Sequence, residues 1–252
     1  VLSGQISHAG SPRELLRLSS AHSASLNHIH VANLWNKLGK QRDALMPSHK
    51  EEVQQLLRRT VELLSSCEAR NLSNVAHGLA KCRLVGLDVE TGALFAAVAE
   101  AAVRSGLRDF NPQNLANTAW AFATAGHPAP ALLDAIAAAA MRGGLRDFKP
   151  QNLANTAWAF AVADHLAPVL FDSDAFVQLC AAHSFVPENL RQLHQWQLWQ
   201  EEQGAAWPPL PPELAQRCRD AFSSEEGVAS KLQGDVVASL LALGLAPREE
   251  VR

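Results

Sequence analysis

The 252-residue chain has no tyrosine, only four cysteines, little charge and no long uninterrupted apolar run. Cys67, Cys82, Cys180 and Cys218 lie far apart without a CxxC pair, which argues against a disulfide framework or a structural zinc site and for buried free thiols. The longest alanine-rich stretches are interrupted by Glu100 or Asp134. None reaches the roughly 18 apolar residues that a spanning helix needs, so no membrane insertion is expected. Apolar residues make up 48% of the chain, charged residues 19%, and mean hydropathy is −0.06. That balance excludes whole-chain disorder and supports a sizeable core. Net charge is −3, whereas a bulk polyanion binder is normally basic. The charge is uneven: residues 1–110 carry +3 and residues 111–252 carry −6. Nucleic-acid contact in such a chain has to rest on local patches or contacts to bases.

Signatures of catalysis are also absent. There is no HExxH, no GxSxG, no phosphate-cradling glycine loop and no Cys–His nucleophile pattern among the ten histidines. Asp164-His165 sits at a turn without a nucleophile in spacing. The expectation is a protein that is not an enzyme, with no cofactor, no metal and no small-molecule substrate. Asn71-Leu-Ser73 formally matches a glycosylation acceptor but opens a helix, and is read as chance. The first residues, from Val1, carry no signal-peptide pattern, and the chain reads as a piece of something longer.

What the chain does contain is a repeat. Gly106-Leu-Arg-Asp-Phe-Asn-Pro-Gln-Asn-Leu-Ala-Asn-Thr-Ala-Trp-Ala-Phe-Ala123 recurs at 144–161 with one change, Asn111 to Lys149, at a period of 38 residues. Weaker copies start at Asn71 and His30, and Pro187-Glu-Asn-Leu190 opens a fifth that then diverges. Pro112 and Pro150 suit the first helical position, and Leu115, Ala119 and Phe122 form one apolar stripe. Gly126-His-Pro128 stops that helix, 129–141 reads as a second, and Gly143-Gly144 closes the unit. A lone hairpin of this kind cannot bury both faces, and stacked units can. The expected fold is therefore all-α, an α-solenoid of helical-hairpin repeats of about 38 residues. The expected organisation is a helical lead-in (1–28), four repeats (29–186), a further helical segment (187–243) and a final segment (244–252). In the third part, Trp207 to Pro212 reads as a stiff connector between helices, and Ser230 with Gln233 as a capping box opening a last helix to Leu243.

One position of the first helix is Asn in all four repeats: Asn33, Asn74, Asn117 and Asn155. Three residues earlier stand His30, Asn71, Asn114 and Asn152, on the same helix face. With Thr118 and Thr156 beside them, these groups make a polar stripe able to meet base edges of single-stranded RNA, as helical-repeat readers do. The same amides are equally suited to satisfying a neighbouring repeat's buried polar groups. Lys40, Lys81 and Lys149 are candidate phosphate contacts, with Arg108 and Arg146 near the turns. Trp120 and Trp158 lie one turn from the stripe; they suit stacking on bases, but at helical spacing beside Phe122 and Phe160 they read as core.

The phrase Pro-Gln-Asn-Leu-Ala-Asn-Thr-Ala-Trp-Ala-Phe-Ala, present twice, resembles the repeat of octotricopeptide-repeat and FAST-kinase-like proteins of algal or protist type. The opening (Ser11-Pro-Arg-Glu-Leu-Leu16, then Asn27-His-Ile-His-Val31) is similar to the lead-in of such chains. Leu193-His-Gln-Trp-Gln-Leu198, Leu210-Pro-Pro-Glu-Leu214 and Ser230-Lys-Leu-Gln233 resemble the segment before a RAP domain, and Leu243 to Val251 looks like that domain's first strand. The resemblance implies an organellar protein, mitochondrial or plastid, that binds single-stranded or ribosomal RNA. Its implied role is in RNA processing, stability, translation or ribosomal-RNA assembly. A nuclease-like role for the body of the RAP domain, beyond Arg252, stays open. The rival expectation is a protein-interaction scaffold or peripheral subunit of a large organellar assembly such as a ribosome, which long solenoid surfaces and an acidic second half also suit.

Overall fold

Proline and asparagine at the predicted starts set the helices. A computed structural model describes residues 2–41, 47–82, 84, 87–204 and 206–224. Its helices are α1 (Leu2–His8), α2 (Pro12–Ala21), α3 (His28–Leu38), α4 (Lys50–Leu63), α5 (Ala69–Cys82), α6 (Asp88–Arg104) and α7 (Pro112–Thr124). There follow α8 (Pro130–Arg142), α9 (Pro150–Val162), α10 (Pro168–Phe171), α11 (Asp174–Ala181), α12 (Pro187–Glu202) and α13 (Pro212–Ser223). Pro112, Pro130, Pro150, Pro187 and Pro212 each occupy a first helical position, where no N–H is needed. No strand occurs among the described residues.

The helices pack in two layers. α1, α3, α5, α7, α9, α12 and α13 follow one another in the first, called here the inner layer, and α2, α4, α6, α8 and α10 follow one another in the second. The arrangement is all-α and solenoid-like. It also runs past the four repeats at both ends. α1 and α2 of the lead-in pack on α3 and α4 as a further hairpin, and α12 takes the next inner place against α9.

Between the layers lies the core. Leu115, Ala119 and Phe122 are buried, as are their counterparts Leu153, Ala157 and Phe160. Trp35 is wholly buried, and its indole N–H donates to Thr60 Oγ1 at 2.9 Å, latching α3 to α4. The hairpins are joined by a repeated turn in which Gly106-Leu107 and Gly144-Leu145 are all left-handed (φ 64°, 53°, 65° and 59°). A left-handed leucine costs about 1–2 kcal/mol. Leu107 and Leu145 offset it by full burial, worth about 1.5–3 kcal/mol each. Arg142 then reaches back to the Gly106 carbonyl at 2.9 Å, tying one joint to the next.

The fourth unit departs from the pattern. Its outer helix is broken at Asp172-Ser173 into α10 and α11. Asp164 stands left-handed (φ 48°) where the preceding repeat has Gly126 (φ 61°). Its carboxylate accepts from Trp199 Nε1 at 2.9 Å and Gln203 Nε2 at 3.0 Å, so this strained turn is also the dock for α12. The expected helix from Ser230 to Leu243, its capping box and the 244–252 segment lie outside the described residues.

Candidate nucleic-acid interface on the inner layer

The first of the two polar columns is built from helix starts. His30, Asn71, Asn114 and Asn152 fall on the first turn of α3, α5, α7 and α9, three residues after the residue that begins the turn. Their side chains fold back onto their own backbone. Asn114 Oδ1 accepts from Asn111 N–H at 3.3 Å, Asn71 Oδ1 from Glu68 N–H at 3.1 Å and Asn152 Oδ1 from Lys149 N–H at 3.0 Å; His30 Nδ1 accepts from Asn27 N–H at 3.3 Å. Asn27 and Asn111 return the bond to the N–H of His30 and Asn114, completing reciprocal caps. Asn71, Asn114 and Asn152 are only 7–9% exposed. This column is occupied in closing its own helices, because the free N–H groups of a helix start compete for the amide oxygen.

Thr118 and Thr156, expected on the surface stripe, are turned into the core (0 and 1% exposed). That correction follows from register: the same column is Leu34 and Val75 in the earlier repeats, both buried.

The invariant column stays at the surface. Asn33, Asn74, Asn117 and Asn155 are half-buried. Asn74 Oδ1 accepts from Asn36 Nδ2 of the preceding inner helix at 3.1 Å, and Asn155 Oδ1 from Gln192 Nε2 of the following one at 3.0 Å. Two of the four oxygens therefore join neighbouring units.

One turn further along stands a column that sequence comparison obscures: Asn36, His77, Trp120, Trp158 and Gln195, none of them buried. Trp120 and Trp158, read as core from spacing, are half-buried and packed against the buried core. Their rings stack across the repeat joint with centroids 6.3 Å apart and planes 30° apart, and His77 lies 5.1 Å from Trp120. Burial, then the charges of Lys81 and Lys40, lowers the His77 pKa to about 4. The imidazole is thus neutral at pH 7, an uncharged ring in an aromatic ladder.

Cations border these columns sparsely. Lys40 and Lys81 are exposed at the ends of α3 and α5 and close enough to act on His77. Lys149 is exposed beside a groove of about 760 Å³ at the starts of α7, α9 and α12, where Asp147 and Glu188 share the lining. Arg108 and Arg146 are exposed at the turns. Burial raises the thiols of Cys67 and Cys218 to about 11 and that of Cys82 to about 12, so they stay protonated at neutral pH. Among the described residues no three His, Cys, Asp or Glu side chains are grouped to hold a metal ion.

The molecule is thus a helical-hairpin solenoid that exposes, side by side, a column of amides and a column of rings at repeat spacing. No protein-family model matches the chain, and a search of curated proteins finds no relative.

Proposed function

We propose that this chain binds single-stranded RNA along its inner layer, and that it does so as an organellar protein, mitochondrial or plastid. Its role is in RNA processing, stability, translation or ribosomal-RNA assembly, through positioning or protection of the strand rather than chemistry on it. The observation that carries the reading is the pairing of two surface columns. Amides at Asn33, Asn74, Asn117 and Asn155 can hydrogen-bond base edges, and the ladder of His77, Trp120 and Trp158 offers an aromatic surface beside them. The repeat's resemblance to octotricopeptide-repeat proteins supports the organellar setting and the RNA.

The test is retention of a random single-stranded RNA pool by the chain at near-physiological salt, followed by sequencing. Enrichment of a motif of about four to six bases, one per repeat, is the expected result. The enrichment is expected to vanish in a Trp120→Leu, Asn117→Ala variant that keeps its melting temperature. No enrichment and no salt-sensitive retention would overturn the reading in favour of the protein scaffold.

A further inference from the structure

The aromatic ladder ends one rung early. In α12 the position that continues His77, Trp120 and Trp158 is Gln195, an exposed residue. Where a fourth ring would lie there is a cavity of about 400 Å³, lined by Trp158, Asn155, Gln192, Gln195 and Phe222 but not by Trp120. It therefore opens on the α12 side of Trp158, the side that no ring of the ladder covers. We infer that this space receives one unpaired nucleobase, which stacks on Trp158 in place of the missing rung; the inference rests on the RNA reading above and names its terminal subsite.

The lining suits a base better than a phosphate. Arg191, at the rim, lies 3.8 Å from Glu188, so the two opposite charges largely cancel there. The amides are held in a relay: Asn189 Nδ2 donates to Gln192 Oε1 at 3.1 Å, and Gln192 Nε2 donates to Asn155 Oδ1 at 3.0 Å. That relay fixes the orientation of the cavity's polar edge and leaves N–H groups of Asn155 and Gln192 for the edge of an incoming ring. Phe222 of α13 stands at the far side, packed on His194 with centroids 4.9 Å apart, so the ring entering the slot has aromatic surface at both ends.

The experiment fills the slot with the chain's own ring. Binding of a labelled random single-stranded RNA pool is measured for the unmodified chain, for Gln195→Trp and for Gln195→Ala, each with a thermal melt. Stacking of a base on an aromatic side chain contributes enough that its loss weakens binding about tenfold. Gln195→Trp is expected to show that loss with an unchanged or raised Tm, while Gln195→Ala stays within about twofold of the unmodified chain. Should Gln195→Trp lower the Tm, Phe222→Ser, at an exposed position, carries the same test by removing the far wall. If the unmodified chain binds RNA and neither variant weakens it, the subsite is refuted while the RNA reading stands. If the unmodified chain binds no RNA, both fall, and the slot is then an anchor for an aromatic side chain of a protein partner.

Discussion

At the scale of single residues, one glycine lets two inner helices pack backbone against backbone. A Cβ on Gly78 of α5 would meet the Trp35 carbonyl oxygen at 2.2 Å and its carbon at 2.4 Å, both backbone atoms of α3. Neither can swing aside, so α3 and α5 would have to separate along their whole contact. The later repeats have Ala121 and Ala159 at this position, and their inner helices accommodate a methyl there. Gly78→Ala is expected to lower stability by about 2 kcal/mol, overpacking outweighing the roughly 1 kcal/mol that alanine gains in helix propensity. Gly92 of α6 is the control, because a Cβ there meets nothing within 4 Å. Gly92→Ala is expected to raise stability by about 0.5–1 kcal/mol. Urea denaturation of the two variants checks both, and equal signs would refute the close-packing account.

At the scale of elements, two nearly identical helices differ in one cap. Asn111 accepts the Asn114 N–H at 2.9 Å at the start of α7. Lys149, its counterpart at the start of α9, has no oxygen to offer and places a cation against the positive end of the helix dipole. Lys149→Asn is expected to stabilise the chain by about 0.5–1 kcal/mol while weakening RNA binding, and a melt with a binding titration measures both. A gain in stability without a loss in binding would remove Lys149 from the interface. The helices and their pairing were legible because proline, glycine and the apolar stripe are local signals that recur at 38 residues. The break at Asp172-Ser173 was not, since it falls where the repeat has already diverged. The candidate interface was legible only in part. An asparagine on the first turn looks like a surface group in a one-dimensional pattern, but competition from the helix's free N–H groups draws Asn71, Asn114 and Asn152 inward. His77 was missed for the opposite reason: the column Asn36, His77, Trp120, Trp158 and Gln195 changes side-chain type along its length, and only the stacking of the helices makes it a column. The one signal for it was their constant offset of three residues from the Asn33, Asn74, Asn117 and Gln192 positions.

At the scale of the whole molecule, the charge distribution decides what kind of grip the proposed RNA binding would use. The chain is acidic, and the candidate cations along the inner face are Lys40, Lys81 and Lys149. The groove beside Lys149 includes Asp147 and Glu188, which repel phosphate. On the RNA reading proposed above, affinity would then come mainly from contact with the His77, Trp120 and Trp158 ladder and from hydrogen bonds to amides, neither of which releases counterions. For single strands the slope of log K against log salt is about −0.7 per phosphate neutralised, so three lysines give a slope of about −2. Between 50 and 200 mM salt the affinity is expected to fall about twentyfold, against the factor of 10³–10⁵ for a protein making six to ten phosphate contacts. Lys81→Gln should reduce the slope by about 0.7 and leave the selected motif unchanged, because a phosphate contact positions the strand without reading it. A slope steeper than about −5 would require more phosphate contacts than Lys40, Lys81 and Lys149 supply and would refute a grip based mainly on rings and amides. A shallow slope combined with loss of binding in Trp120→Leu would instead identify the rings as the principal grip, the arrangement by which an acidic solenoid would hold a polyanion.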